Sequence, residues 1–228
     1  MATITQNLHD VRGRISQACS QAGRPPDAVT LLAVSKTFPS GCVREAFAAG
    51  QTAFGENYVQ EAVDKIAELA DLRAQLCWHL IGPLQSNKTR VVAEHFDWVQ
   101  SVDRLKIAQR LSEQRPAHLP PLQVCIQVNS SGEDSKSGVA PAEALALAQG
   151  VASLPRLRLR GLMALPAPSD DPAVQAAALT QIRALFHSLC AAGLPLDTLS
   201  MGMSADLEAA VQAGSTMVRV GTALFGRR

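Results

Sequence analysis

The chain has 228 residues, the size of one α/β barrel or of two small domains, and a single unit over 1–228 is the expectation. Hydrophobic residues make up 47% and charged residues 18%, with a mean hydropathy of +0.07, which supplies a large core and excludes a disordered chain. Twenty-one Lys and Arg against twenty Asp and Glu leave a formal charge of +1, so no basic field is available to draw a nucleic acid or an anionic membrane surface.

The first predicted element is a helix near 4–22, followed by strand Val29–Ser35 and helix 41–50. Strand Thr52–Phe54 leads into helix 58–72, and strand Cys77–Ile81 into helix 87–95. Trp98–Val102 precedes helix 104–115, for which Asp103 is a candidate cap. Leu122–Val128 precedes helix 141–152, where Pro141 suits a first turn with Glu143 behind it. Leu157–Met163 precedes helix 173–191, whose Val174, Ala178, Ile182, Leu185, Phe186 and Leu189 form one stripe that ends at Gly193 and Pro195. Thr198–Met203, helix 205–213 and strand Met217–Val220 complete the series.

Eight strands alternating with helices require a parallel sheet with right-handed crossovers, and eight such units close a barrel. An open doubly wound sheet would usually bring G-x-G-x-x-G after the first strand, where this chain reads Ser35-Lys36-Thr37-Phe38-Pro39. The expected fold is therefore a single α/β domain, a (β/α)8 or TIM barrel, with an extra N-terminal helix standing in for one after strand eight. The Pro-rich stretch Leu165–Pro172 is a candidate mobile loop. No apolar run is long enough for a membrane span, and MATITQNLHD has no signal-peptide pattern, so a soluble cytoplasmic protein is expected. Cys19, Cys42, Cys77, Cys125 and Cys190 are odd in number and widely spaced, which suits reduced core thiols rather than disulfides or a zinc site.

Barrel enzymes place reactive groups at the carboxyl ends of strands. Lys36 stands at such an end, and strand alternation puts it on the same side as Val34, aimed into the barrel mouth. A poorly solvated amine has a lowered pKa and attacks carbonyls, as a Schiff-base lysine must. The plainer alternative is a lysine that reaches solvent or pairs with a carboxylate such as Glu56. Loops after strands seven and eight often hold phosphate. Here they offer the Ser204 hydroxyl and the backbone of Gly221 and Thr222, although Ser204 also suits a helix cap and Gly221 a tight turn.

These residues sit in longer stretches: LLAVSKTFP around Lys36, FGENYVQE at 54–61, WHLIGPLQSNK at 78–88, SVDR at 101–104, VNSSGEDSKSG at 128–138, GLMALP at 161–166, LSMGMSADLEAA at 199–210 and GSTMVRVGTALFG at 214–226. Together they resemble the pyridoxal 5′-phosphate (PLP) homeostasis proteins, or PLP-binding proteins, whose single domain is similar to the barrel of alanine racemase. The resemblance implies that Lys36 carries PLP as an internal aldimine, with Ser204, Gly221 and Thr222 around the phosphate. Arg219 would face the pyridine nitrogen, and because arginine stays protonated it would keep that nitrogen unprotonated and weaken the ring as an electron sink. Asn57 and His79 would lie beside the ring; from the sequence, Asn57 with Gln60 also reads as a helix cap and His79 as a core imidazole.

Racemases of this type need a second base, a tyrosine brought by another domain. The chain is expected to lack room for that domain, and its one tyrosine, Tyr58, stands at a helix start where packing is the plainer role. A PLP carrier that buffers the cofactor or donates it to PLP-dependent apoenzymes is favoured, with a weak racemase-like enzyme and a Schiff-base aldolase on a phosphorylated sugar as alternatives. The polar loop Ser130–Gly138 is a candidate gate, and its Lys136 is either a transient acceptor of the aldehyde or a solvated lysine. A monomer is expected.

Overall fold

In the computed structural model of the chain, residues 3–130, 137–167 and 169–226 are described. Lys136 with most of its loop, and Pro168 within the Leu165–Pro172 stretch, lie outside them.

The expected barrel is observed. Strands β1 (Thr30–Val34), β2 (Ala53–Glu56), β3 (Cys77–Leu80), β4 (Trp98–Val102), β5 (Leu122–Val128), β6 (Leu157–Ala164), β7 (Thr198–Ser200) and β8 (Met217–Val220) pair in parallel in chain order. The ring closes where β1 meets β8, with Leu32 opposite Arg219 and Ala33 opposite Val220. Register shifts at Val99/Val102 and Val124/Cys125 mark irregularities of the kind that bend strands around a barrel. β7 ends three residues before the expected Met203. Gly202 turns the chain away at φ 97°, and a Cβ there would lie 2.4 Å from that of Ala210, so only glycine permits the turn so close to the following helix.

The helices are α1 (Ile4–Gln21), α2 (Ser40–Ala48), α3 (Val59–Glu68), α4 (Thr89–His95), α5 (Leu105–Gln114), α6 (Ala144–Ala152), α7 (Pro172–Ala191), α8 (Leu207–Gln212) and α9 (Thr222–Phe225). In α1 the Thr3 side chain caps the start by accepting from Gln6 N–H at 3.2 Å, and Leu8, Val11, Ile15, Ala18 and Cys19 make the buried face. That face packs on α2, α8 and α9, so the N-terminal helix covers the β8–β1 seam as expected, together with a short α9 that the sequence pattern did not reveal. The buried stripe of α7 is Leu179, Ile182, Phe186 and Leu189; Val174 is exposed in the first turn.

Three local expectations change. Asp103 does not cap α5; its carboxylate pairs with Arg104 at 2.7 Å. Asn57 does not cap α3, whose N-cap is Tyr58, and Gln60 instead donates to Asp64. Ser204 does not cap α8, where Asp206 stands at the boundary and accepts from Met203 N–H at 2.6 Å. All five cysteines are free thiols. No helix among the described residues is long and apolar enough to cross a membrane.

Candidate functional site

At the carboxyl ends of the strands the barrel opens into a cavity of about 410 Å³, within the range of small-molecule sites. Lys36, Asn57, Ser204, Arg219, Gly221 and Thr222 line it, with apolar walls from Val34, Ile81, Leu165 and Met203. It therefore combines an amine, a guanidinium, a hydroxyl and backbone amides, and among the described residues that line it none is a carboxylate.

The sequence folds this way at each corner for a local reason. Lys36 follows β1 with the parity of Val34, which lines the same cavity. Glu56 pairs with Lys65 rather than Lys36, at 2.6 Å. Asn57 leaves β2 and is held where its backbone meets Gly82; a Cβ on Gly82 would lie 2.2 Å from the Asn57 carbonyl oxygen. The Asn57 amide oxygen is buried with no hydrogen-bond partner, and buried polar atoms rarely stay so. Gly221 packs on β1, where a Cβ would come within 3.2 Å of the Val34 carbonyl oxygen. Thr222 opens α9, and amides in the first turn of a helix have no intrahelical carbonyl to donate to.

Arg219 stands on β8 and is almost wholly buried. One terminal nitrogen donates to the Ser200 carbonyl at 2.7 Å and to its hydroxyl oxygen at 2.8 Å, and the other donates to the Ala164 carbonyl at 2.9 Å. Neutral oxygens thus fix its plane and occupy three of its five N–H donors. Burial lowers its pKa to about 10, which still leaves it charged at neutral pH.

His79 does not line this cavity. Its Nδ1 meets the Gln100 side-chain nitrogen at 3.0 Å, its Nε2 meets Cys77 Sγ at 3.4 Å, and its ring stacks on Trp98 with centroids 4.9 Å apart. Gln100 in turn accepts from Ser200 Oγ at 2.6 Å. Because β4 and β7 are not neighbours, this bond crosses the barrel interior. A continuous polar chain runs from Arg219 through Ser200, Gln100 and His79 to Cys77 near the amino ends of the strands. Burial depresses the His79 pKa to about 3, so the ring is neutral; a neutral ring that accepts from Gln100 at Nδ1 carries its hydrogen on Nε2. The same burial pushes the Cys77 thiol up to about 12. Tyr58 is 56% exposed and is not part of the cavity lining.

Sequence reasoning did not single out Gly82, Gln100, Ser200 or Lys65. Gly82, two residues past the end of β3, was the one available signal, as a position of close backbone approach.

The closed ring of parallel strands with its site at the carboxyl end defines a (β/α)8 barrel, and residues 6–228 match the family described as alanine racemase, N-terminal domain. The chain is 64% identical over 228 residues to the pyridoxal phosphate homeostasis protein of Pseudomonas aeruginosa, covering 100% of this chain and 97% of that one. It belongs to the family of the pyridoxal phosphate homeostasis proteins. The solved structure of PipY from Synechococcus elongatus PCC7942 with PLP bound is 42% identical, with a TM-score of 0.81, and covers 93% of this chain and 100% of that one. An alanine racemase from Clostridium difficile 630 shares the fold at 15% identity and a TM-score of 0.78, with 99% of this chain matching 57% of the racemase.

Proposed function

We propose that this chain binds pyridoxal 5′-phosphate as a Schiff base on Lys36 and serves PLP homeostasis, holding the cofactor and donating it to PLP-dependent apoenzymes. The observation that carries this reading is a single cavity that brings two cationic side chains, Lys36 and Arg219, together with the Ser204 hydroxyl and the backbone of Gly221 and Thr222, which suits a phosphorylated aldehyde. When bound, PLP supplies an aldehyde that condenses with a primary amine, the two amine hydrogens leaving with the carbonyl oxygen as water. Lys36 is the amine of the cavity. The Ser204 hydroxyl and the amides of Gly221 and Thr222 would take the phosphate, and Val34, Ile81, Leu165 and Met203 would flank the ring. Arg219, held by Ser200 and Ala164, would direct its remaining donors to the ring nitrogen. Asn57 would offer its unpartnered amide oxygen to a ring substituent. His79 acts on this site only through the polar chain that ends on Arg219.

Two names support the reading: the relative in Pseudomonas aeruginosa is a pyridoxal phosphate homeostasis protein, and PipY has been solved with PLP bound. Carriage is favoured over racemisation because the one tyrosine, Tyr58, is more than half exposed and does not line the cavity. The protein would act as a cytoplasmic monomer, in keeping with its free thiols. Colour and transfer together test this. Purified protein with PLP is expected to absorb in the visible, to lose that band on borohydride, and to reactivate an apoenzyme even when a scavenger removes free PLP. A protein that takes no PLP, or Lys36→Ala that takes it covalently as well as the parent, overturns the assignment.

A further inference from the structure

Lys36 lies inside a backbone turn whose two sides are tied to one helix. Phe38 N–H donates to the Ser35 carbonyl at 3.1 Å, closing the turn, and Thr37 within it adopts φ 66°, a region that β-branched residues avoid. Thr37 is the one described residue other than glycine with positive φ. Strain of this kind persists only where neighbours hold it.

The neighbours come from α3. Lys65 is 4% exposed and spends all three ammonium donors here: 2.9 Å to the Ser35 carbonyl, 2.6 Å to Glu56 Oε1 and 3.2 Å to Glu61 Oε1. Glu61 Oε1 also accepts from Thr37 N–H. Ser35 Oγ donates to Glu56 Oε1 at 2.6 Å. The residue before Lys36 is therefore gripped by Lys65 and Glu56, and the residue after it by Glu61. Glu56 is fully buried, and burial raises its carboxyl pKa against the opposing pull of Lys65 and Ser35, so the Lys65 charge is what keeps this carboxylate tolerable.

We propose that Lys65, Glu56 and Glu61 form a clamp that positions Lys36 for attack on the aldehyde, with Glu61 holding the strained Thr37 peptide as the adjustable jaw. This rests on Lys36 being the amine that carries the cofactor. None of the three touches the cavity, so they are positioning residues that act through the turn.

The experiment follows how fast the full chain, freed of cofactor, becomes borohydride-trappable with PLP, alongside its thermal midpoint. Glu61, whose side chain is 30% exposed, is the safe site to vary. Glu61→Ala is expected to slow attachment about tenfold with little change in the midpoint, since a misplaced nucleophile loses rate steeply. Glu61→Gln keeps an oxygen for Thr37 N–H and should stay within about threefold of the parent. Thr37→Gly, which accepts positive φ without strain, should restore most of the lost rate when combined with Glu61→Ala. Lys65→Met is expected to be slower than Glu61→Ala if it folds. Parent-like rates in Glu61→Ala, equal slowing by Gln and Ala, or no rescue by Thr37→Gly would each sink the clamp, provided Lys36→Ala traps nothing. Trapping in Lys36→Ala would instead overturn the identity of the amine.

Discussion

The two ends of the barrel use polar residues in opposite ways. At the amino ends of the strands, Arg160 forks onto Asp197 through Nε and one terminal nitrogen, each at 2.8 Å, donates to Gln123 at 2.9 Å and lies 4.8 Å from the centre of the Trp98 ring. Thr198 donates to Asp197 and His79 stacks on the other partner of the group, Trp98. The donors of Arg160 and Thr198 in this group have found acceptors in the protein. At the carboxyl ends, the Asn57 oxygen has no partner, Arg219 keeps donors in reserve, and a strained peptide follows Lys36. The Arg160 group satisfies itself, and the cavity is left to be satisfied. Stability should therefore be lost by mutating the first, and ligand binding by mutating the second.

Arg219→Glu should give the largest effect. It sets a carboxylate against the Ser200 and Ala164 carbonyl oxygens and removes the cavity's buried cation, so PLP affinity should fall about a hundredfold or more, with a displaced visible band, and stability by several kcal/mol. An unchanged spectrum and affinity would remove Arg219 from the ring. Gly221→Val comes next. Its branches crowd Val34, already 3.2 Å from a single Cβ, and push the backbone away from the phosphate; a tenfold weaker affinity is expected by spectroscopic titration, about 1.4 kcal/mol.

Arg160→Ala should invert that pattern. Loss of the forked pair and the ring contact is expected to cost about 1–2 kcal/mol in urea unfolding, with PLP affinity within about twofold of the parent. A matching loss of affinity would show that the two ends are not independent. The last effect is a pH dependence that leaves the cavity untouched. The folded His79 pKa is near 3 against 6.5 for an ordinary imidazole, so below pH 6.5 the unfolded chain takes up a proton that the folded chain refuses. Its contribution to stability is level above pH 6.5 and falls as pH drops from 6.5 towards 3, by at most about 1.4 kcal/mol per unit. Unfolding of His79→Gln and parent across pH 7 to 5 should show the parent losing more.

Much of this was legible in the sequence. The apolar runs at Trp98–Val102, Leu122–Val128 and Met217–Val220 coincide with strands β4, β5 and β8, because parallel strands buried on both faces read as unbroken hydrophobic segments. Lys36 was readable because a two-residue period links it to Val34. The caps failed at Asp103, Asn57 and Ser204 because each side chain had a competing partner or purpose that local pattern does not encode. The polar chain through the barrel was also out of reach: Gln100 meets His79 across 21 residues of sequence and Ser200 across 100, distances at which spacing carries no signal. His79 was accordingly placed beside the ring by resemblance, whereas its contacts are with Gln100, Cys77 and Trp98. The Glu56–Lys65 pair joins a strand end to the second turn of a helix and looks, in sequence, like two surface charges.

Borohydride reduction of the PLP-loaded chain, followed by peptide mapping, puts the central claim to its most direct test. The phosphopyridoxyl mass should appear on the peptide containing Lys36 and on no other lysine peptide. Stoichiometric label on Lys65, Lys88, Lys106 or Lys136 instead would mean that the cavity has been assigned the wrong amine.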